Sequence, residues 1–295
     1  MKTLLITIVS ITLLLSCNSA GPKKAALTKK TEPKWSLTEV WRTDTILSTC
    51  ESVLYDHFRK LLFVSCINGA PSEKNGKGFI SILKADGSVL KLDWVTGLNA
   101  PKGMGVRGNT LYVTDIDQLL IINIEKAEVM ERIDVKGASF LNDVAMGIDG
   151  KVYFTDSDTG YIWVYADGKA EAWITGGLER PNGLCVEKSR ILLTSSGSSD
   201  LKIIDTSTGS FETVTTEIGH GDGIEYTGRE GHYLTSDWSG EIFMIFPDFT
   251  KISLLKTSDR EINSADIGFN QTRQIVYVPT FFDNRVVAYK LEKTE

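Results

Sequence analysis

Residues 140–165 read FLNDVAMGIDGKVYFTDSDTGYIWVY. The stretch holds three short strands in a row. The first begins at Asn142 and carries Val144 and Met146; a turn at Asp149-Gly150 leads to Val152-Tyr153-Phe154-Thr155; Gly160 opens the third, Tyr161 to Tyr165. Apolar residues alternate because side chains of a strand point to opposite faces. Asp and Gly punctuate the runs because hairpin turns need backbone conformations that Gly adopts cheaply. A unit this small cannot bury a core of its own, so it requires copies beside it.

The copies are present. The second strand recurs as Leu62-Phe63-Val64-Ser65, Leu111-Tyr112-Val113-Thr114, Leu192-Leu193-Thr194, Tyr233-Leu234-Thr235 and Val276-Tyr277-Val278-Pro279. Marked at Ser65, Thr114, Thr155, Thr194, Thr235 and Pro279, the intervals are 49, 41, 39, 41 and 44 residues. A third strand follows each time, and a fourth follows in five of the six units, as in Glu171 to Thr175 and Lys251 to Leu255. The sixth unit runs out at Glu295, while an unassigned strand, Ser36-Leu37-Thr38-Glu39-Val40-Trp41, precedes the first. This pattern predicts an all-β six-bladed β-propeller over residues 35–295, its ring closed by the N-terminal strand completing the last blade. A pair of β-sandwiches explains neither the near-equal intervals nor the displaced strand.

The first strands align as Glu51-Ser-Val-Leu-Tyr, Lys102-Gly-Met-Gly-Val, Asn142-Asp-Val-Ala-Met, Asn182-Gly-Leu-Cys-Val, Asp222-Gly-Ile-Glu-Tyr and Ala265-Asp-Ile-Gly-Phe. First strands line a propeller's channel, so Glu51, Lys102, Asn142, Asn182, Asp222 and Ala265 are expected at one mouth. Four of these offer hard oxygen donors and none is Cys or His. That set suits calcium, or another hard divalent cation, and disfavours zinc. A lone Asn or Asp at a strand start commonly only caps a turn; four converging by repeat symmetry, two of them carboxylates, call for a cation between them.

Glu51, Asn142-Asp143, Pro181-Asn182-Gly183 and Asp222-Gly223 resemble, in order and position, the motifs of the SMP-30/gluconolactonase/LRE-like family of calcium-dependent lactonases and diisopropylfluorophosphatase-type propellers. The resemblance covers residues 36–295. It implies a calcium held by Glu51, Asn142, Asn182 and Asp222, and hydrolysis of a small-molecule lactone or related ester. Asp222 would be the catalytic residue, acting as base or nucleophile on a metal-polarised carbonyl. Sugar-lactonase members carry an Arg where this chain has Phe140, and the loop after Asp156 supplies no sugar-binding Glu. Those departures point to a less polar lactone or ester. Lys102, Phe140 and His220 are the expected substrate-binding residues, Lys102 either meeting an anionic substrate or balancing Glu51 as an ion pair. Asp143 and Asp266 are expected to hold the ligands rather than to react. The segment Ile67 to Gly78 is a substrate lid or a tolerated insertion on the same face. Two other readings use the same mouth: a non-catalytic calcium-containing propeller that binds a ligand or protein, and a phosphotriesterase.

Net charge is −6 at pH 7, with Lys and Arg outnumbered by Asp and Glu, which argues against a nucleic-acid partner. Residues 1–16 have the layout of a signal peptide: Lys2, then a mostly apolar run from Leu4 to Leu15 too short to span a bilayer. The run ends in Leu14-Leu15-Ser16-Cys17, which resembles the bacterial lipobox, with Cys17 the lipidated residue and residues 17–34 a flexible tether. The expected localisation is therefore an exported lipoprotein, membrane-anchored through Cys17, periplasmic or on the cell surface. Export permits a disulfide; Cys50 and Cys66 form either one across a hairpin or two reduced thiols, and Cys185 reads as a small core residue.

Overall fold

Strands whose residues are buried on both faces need cover on both sides, and the second strands of the units are of that kind. Val152–Asp156, Tyr233–Asp237 and Ile275–Pro279 are buried at every residue. The fourth strands, such as Lys169–Ile174, Phe211–Thr216 and Lys251–Lys256, are mostly exposed or half-buried. Burial that fades from the inner strands to the outermost one is the radial gradient of a propeller blade. The computed structural model, which describes residues 34–294, has six four-stranded antiparallel sheets. The expected leader, the lipidated Cys17 and most of the tether lie outside the described residues. No described helix is long and apolar enough to cross a membrane.

The ring closes as the displaced strand requires. Lys34–Arg42 is the outermost strand of the last blade and pairs antiparallel with Val286–Thr294, Leu37 opposite Leu291 and Arg42 opposite Val287. Apolar packing is shared among six clusters, one in each gap between adjacent blades. Phe63, Trp94, Met104 and Leu111 join blades one and two; Leu47, Tyr55, Tyr277 and Val286 join the first blade to the last. A seventh cluster, Ile67, Ala100, Ile116, Ala265 and Phe281, forms an apolar collar beside the mouth of the channel.

The innermost strand of the last blade differs from its expected position. Its ladder covers only Gly268–Asn270 rather than starting at Ala265. Asp266 pairs instead with Ser52 of the first blade, through Asp266 N to Glu51 O (2.9 Å) and Val53 N to Asp266 O (3.1 Å). The close approach needs Gly268, where a Cβ would sit 2.1 Å from the Val53 carbonyl oxygen.

Cys50 and Cys66 stand opposite one another across the first hairpin as free thiols, and the Cys50 thiol donates to the Arg285 carbonyl (3.0 Å). Cys185 is only partly buried and borders a cavity at the far end of the channel.

Candidate active site at the channel mouth

Five of the six leading residues, all but Ala265, sit where their strand's pairing breaks. The ladder between first and second strands is interrupted between Pro101 and Met104, Leu141 and Val144, Pro181 and Leu184, and Gly221 and Ile224. In each break lie the leading residue and its successor, so the side chain turns to the channel instead of to a blade face. The marker residues found by repeat now have a physical role. Thr114, Thr155 and Thr194 each donate a hydroxyl hydrogen bond to the carbonyl of the next blade's leading residue: Asn142, Asn182 (2.9 Å) and Asp222. They tie one ligand position to the next around the ring.

A second device fixes the loop entering each strand. Asp115 accepts from Asn99 N and Ala100 N, Asp156 from Ser139 N and Phe140 N, and Asp237 from His220 N, at 2.7–3.0 Å. These clamps place Ala100, Phe140 and His220, each two residues before a leading residue. Asp143 works across a blade boundary, accepting from Val144 N and Leu184 N (both 2.6 Å), and Asp266 accepts from the Ser52 hydroxyl (2.5 Å). Both tie neighbouring strands together.

Glu51, Lys102, Asn142, Asn182 and Asp222 line one pocket of about 350 Å³, together with Phe140 and His220. Ala265 is absent from its wall and belongs to the apolar collar. The pocket also takes in Ile67, the first residue of the segment expected on this face, and Ser157, Arg180, Ser196, Trp238 and Phe281, which sequence reasoning missed. Ile67, Ser157, Ser196 and Trp238 each directly follow the second strand of a blade, so that column of the repeat was the signal. Pro71, from the segment 67–78, reaches the pocket as well. A larger cavity of about 700 Å³ occupies the opposite end of the channel, bordered by Ser52, Asp143 and Asp266.

The oxygens of the ring are left unpaired. Glu51 Oε2, Asn182 Oδ1 and Asp222 Oδ1 are buried without a hydrogen-bond partner. Asn142 spends its amide nitrogen on the Ser157 hydroxyl (3.1 Å), which in turn donates to the Pro181 carbonyl (2.8 Å), so the amide's oxygen is the end left for the pocket. Buried polar atoms are normally satisfied, because each orphan costs about 1–3 kcal/mol. Three together, from three blades, fit an oxygen-seeking cation. No group of three or more His, Cys, Asp or Glu side chains able to hold a metal occurs among the described residues; the donor set is two carboxylates and two amides, which is calcium's chemistry rather than zinc's.

Electrostatics points the same way. Burial pushes Glu51 well above the usual carboxylate range, and Asp222 and Asp266 add to it while Lys102 opposes. Burial and then Asp266 raise Asp222, with the Asn182 amide acting against them. Burial lowers Lys102 to about 8. Lys102 forms no ion pair with Glu51 within 4.0 Å. It donates to the Ala100 carbonyl (3.1 Å), and its ammonium lies 4.3 Å from the centroid of the Phe140 ring.

No family model matches the sequence, and no curated protein matches it. Solved structures do. A virginiamycin B lyase from Staphylococcus aureus superposes with a TM-score of 0.64 at 12% identity, covering 88% of this chain and 100% of its own. A gluconolactonase from Xanthomonas campestris gives 0.64 at 15%, covering 83% and 86%. A chain of a nidogen/laminin complex gives 0.62 at 14%, covering 75% and 85%. The likeness is one of fold. The chemistry of this mouth is carried by this chain's own residues.

Proposed function

We propose that the chain is a calcium-dependent hydrolase of a small lactone or related ester. The observation that carries the reading is the convergence of three orphaned oxygens, on Glu51, Asn182 and Asp222, in one pocket with Asn142. These four residues would hold the ion; the amides of Asn142 and Asn182 would do so without adding charge. When bound, calcium would supply Lewis-acid polarisation of the substrate carbonyl. Asp222 takes the proton of a water whose oxygen bonds to the carbonyl carbon, and that proton passes to the alkoxide oxygen as the ester C–O bond breaks. If Asp222 itself adds to the carbon, the alkoxide leaves with a proton from solvent and water then cleaves the acyl-aspartate. Without the ion, burial and its neighbour Asp266 hold the Asp222 carboxyl, 2% exposed, above the usual range; bound calcium would favour its ionised form, the form a base or nucleophile needs. The Thr194 hydroxyl on the Asp222 carbonyl fixes its backbone, so its carboxylate is positioned before substrate arrives. The apolar collar and the Trp238 and Phe281 rings give that side of the pocket an apolar wall.

The test is a panel of lactones, carboxylate esters and phosphotriesters assayed with and without calcium. Turnover of lactones or carboxylate esters that needs calcium and disappears in Asp222→Asn supports the reading. Bound calcium with no turnover of any member would make the mouth a ligand-binding site, and turnover confined to phosphotriesters would move the chemistry to phosphorus.

A further inference from the structure

The molecule contains two buried lysines that live differently. Lys202, 6% exposed, is gripped by both carboxylate oxygens of Asp200 and by the Ser198 hydroxyl. Lys102, 1% exposed, has one carbonyl and the face of one aromatic ring. An ammonium has more N–H donors than a single carbonyl satisfies, and an unpaired buried charge is costly. Glu51 acts on its charge most strongly, followed by Asp115, Asp158 and Asp156, and none of them is a contact partner; Asp115 and Asp156 are spent on backbone amides and Asp158 on Arg180. Once Glu51 and Asp222 are committed to a divalent ion, their charge is cancelled by it, and the charge of Lys102 is left over inside the pocket.

The pocket's other cation, Arg180, is exposed and already paired with Asp158 (2.7 Å), and the rest of the wall is unlike Lys102. Ile67, Pro71, Trp238, Phe281 and Phe282 make an apolar side. Trp238, Phe281 and Phe282 meet edge to face, with centroids 5.4, 6.1 and 4.8 Å apart. Phe282, 63% exposed, forms the lip. Such a surface attracts an alkyl or aryl body and offers little to a polyhydroxylated one.

We propose that Lys102 is the anion-binding residue of this pocket, and that the substrate is a monoanionic lactone or ester. Its carboxylate meets the Lys102 ammonium, and its apolar body lies against Trp238, Phe281 and Phe282. One surplus positive charge selects one negative charge, a carboxylate in preference to a dianionic phosphate. This proposal rests on the calcium reading of the site.

The experiment is calorimetric titration of the calcium-loaded chain with 4-phenylbutyrate and with its uncharged counterpart 4-phenyl-1-butanol, preceded by a calcium titration. The wild type is expected to bind the acid at least about tenfold more tightly than the alcohol, as one desolvated charge pair provides. Lys102→Met should bind the two within about twofold, with alcohol affinity and calcium stoichiometry unchanged. Lys102→Gln serves in its place if the Met variant does not fold. Trp238→Ala should weaken both ligands alike. Equal binding of acid and alcohol by the wild type overturns the proposal while leaving the calcium site standing. So does an acid preference that survives loss of Lys102, since the carboxylate would then rest on the ion. Failure of the chain to bind calcium at all removes the function reading and this proposal together.

Discussion

Asp156 and Asp222 are both buried aspartates of the same repeat, and they differ in what surrounds their oxygens. Asp156 closes the second strand of blade three and accepts backbone hydrogen bonds from Ser139, Phe140, Asp158 and Thr159. Asp222 opens the first strand of blade five and keeps one oxygen buried with no partner. Lys202 and Lys102 repeat the contrast with positive charge. Between the blades and in the loops, the fold satisfies the charges it buries. At the mouth of the channel it buries charges and leaves them unsatisfied. The first kind of residue holds the structure, whereas the second costs the structure something and answers to a ligand.

Substitutions should therefore separate by region. The largest effect is expected for Asp222→Asn, which should reduce calcium-dependent turnover by about a thousandfold or more, about 4 kcal/mol, in steady-state assays. The same variant should unfold in urea at the wild-type midpoint or above it when calcium is absent, because it removes an uncompensated buried carboxylate. Asp156→Ala should do the reverse, lowering urea stability by about 3 kcal/mol through lost backbone partners. An Asp222→Asn chain as unstable as Asp156→Ala would erase the distinction.

Gly183→Ala tests how tightly the ring is drawn. A Cβ there would sit 2.1 Å from the Asp222 carbonyl oxygen and 2.8 Å from the Thr194 hydroxyl. The expected loss is about 2 kcal/mol of stability, with calcium affinity falling alongside because the Asp222 backbone must move.

The smallest effect concerns pH. Burial holds Asp266 up at about 7, against an ordinary value of 3.8, with the Ser52 hydroxyl opposing. A carboxylate raised in the folded state favours folding while protonated. Calcium-free protein should thus lose stability as pH rises from about 4 through about 7, by a few degrees in Tm. Asp266→Asn should flatten that slope in thermal melts, and a slope unchanged by the substitution would place its origin elsewhere.

The architecture was legible because it is written in period. Alternation names the strands, the repeat of Thr at second-strand ends names the blades, and the strand at Ser36–Trp41 shows how the ring closes. The same repeat brought Glu51, Asn142, Asn182 and Asp222 into one column, and the structure brings them into one pocket. Legibility fails where contacts depend on neighbouring blades. The first strand of the last blade pairs over fewer residues than its repeat suggests, because Asp266 bonds to the Ser52 edge of the first blade while Ala265 keeps its bond to Pro279. Phe281 lies two residues beyond the second strand of its blade, outside the column that holds Ile67, Ser157, Ser196 and Trp238, so the repeat carries no information about where it points. The partner of Lys102 was open between Glu51 and a substrate, and only distances exclude a direct ion pair with Glu51.

Calorimetric titration of calcium into chelator-treated protein, wild type beside Glu51→Gln, tests the central claim most directly. The account predicts one ion bound per chain, with affinity at least about tenfold weaker in the variant, as loss of one charged ligand requires. Absence of saturable calcium binding, or binding that Glu51→Gln leaves unchanged, would contradict it.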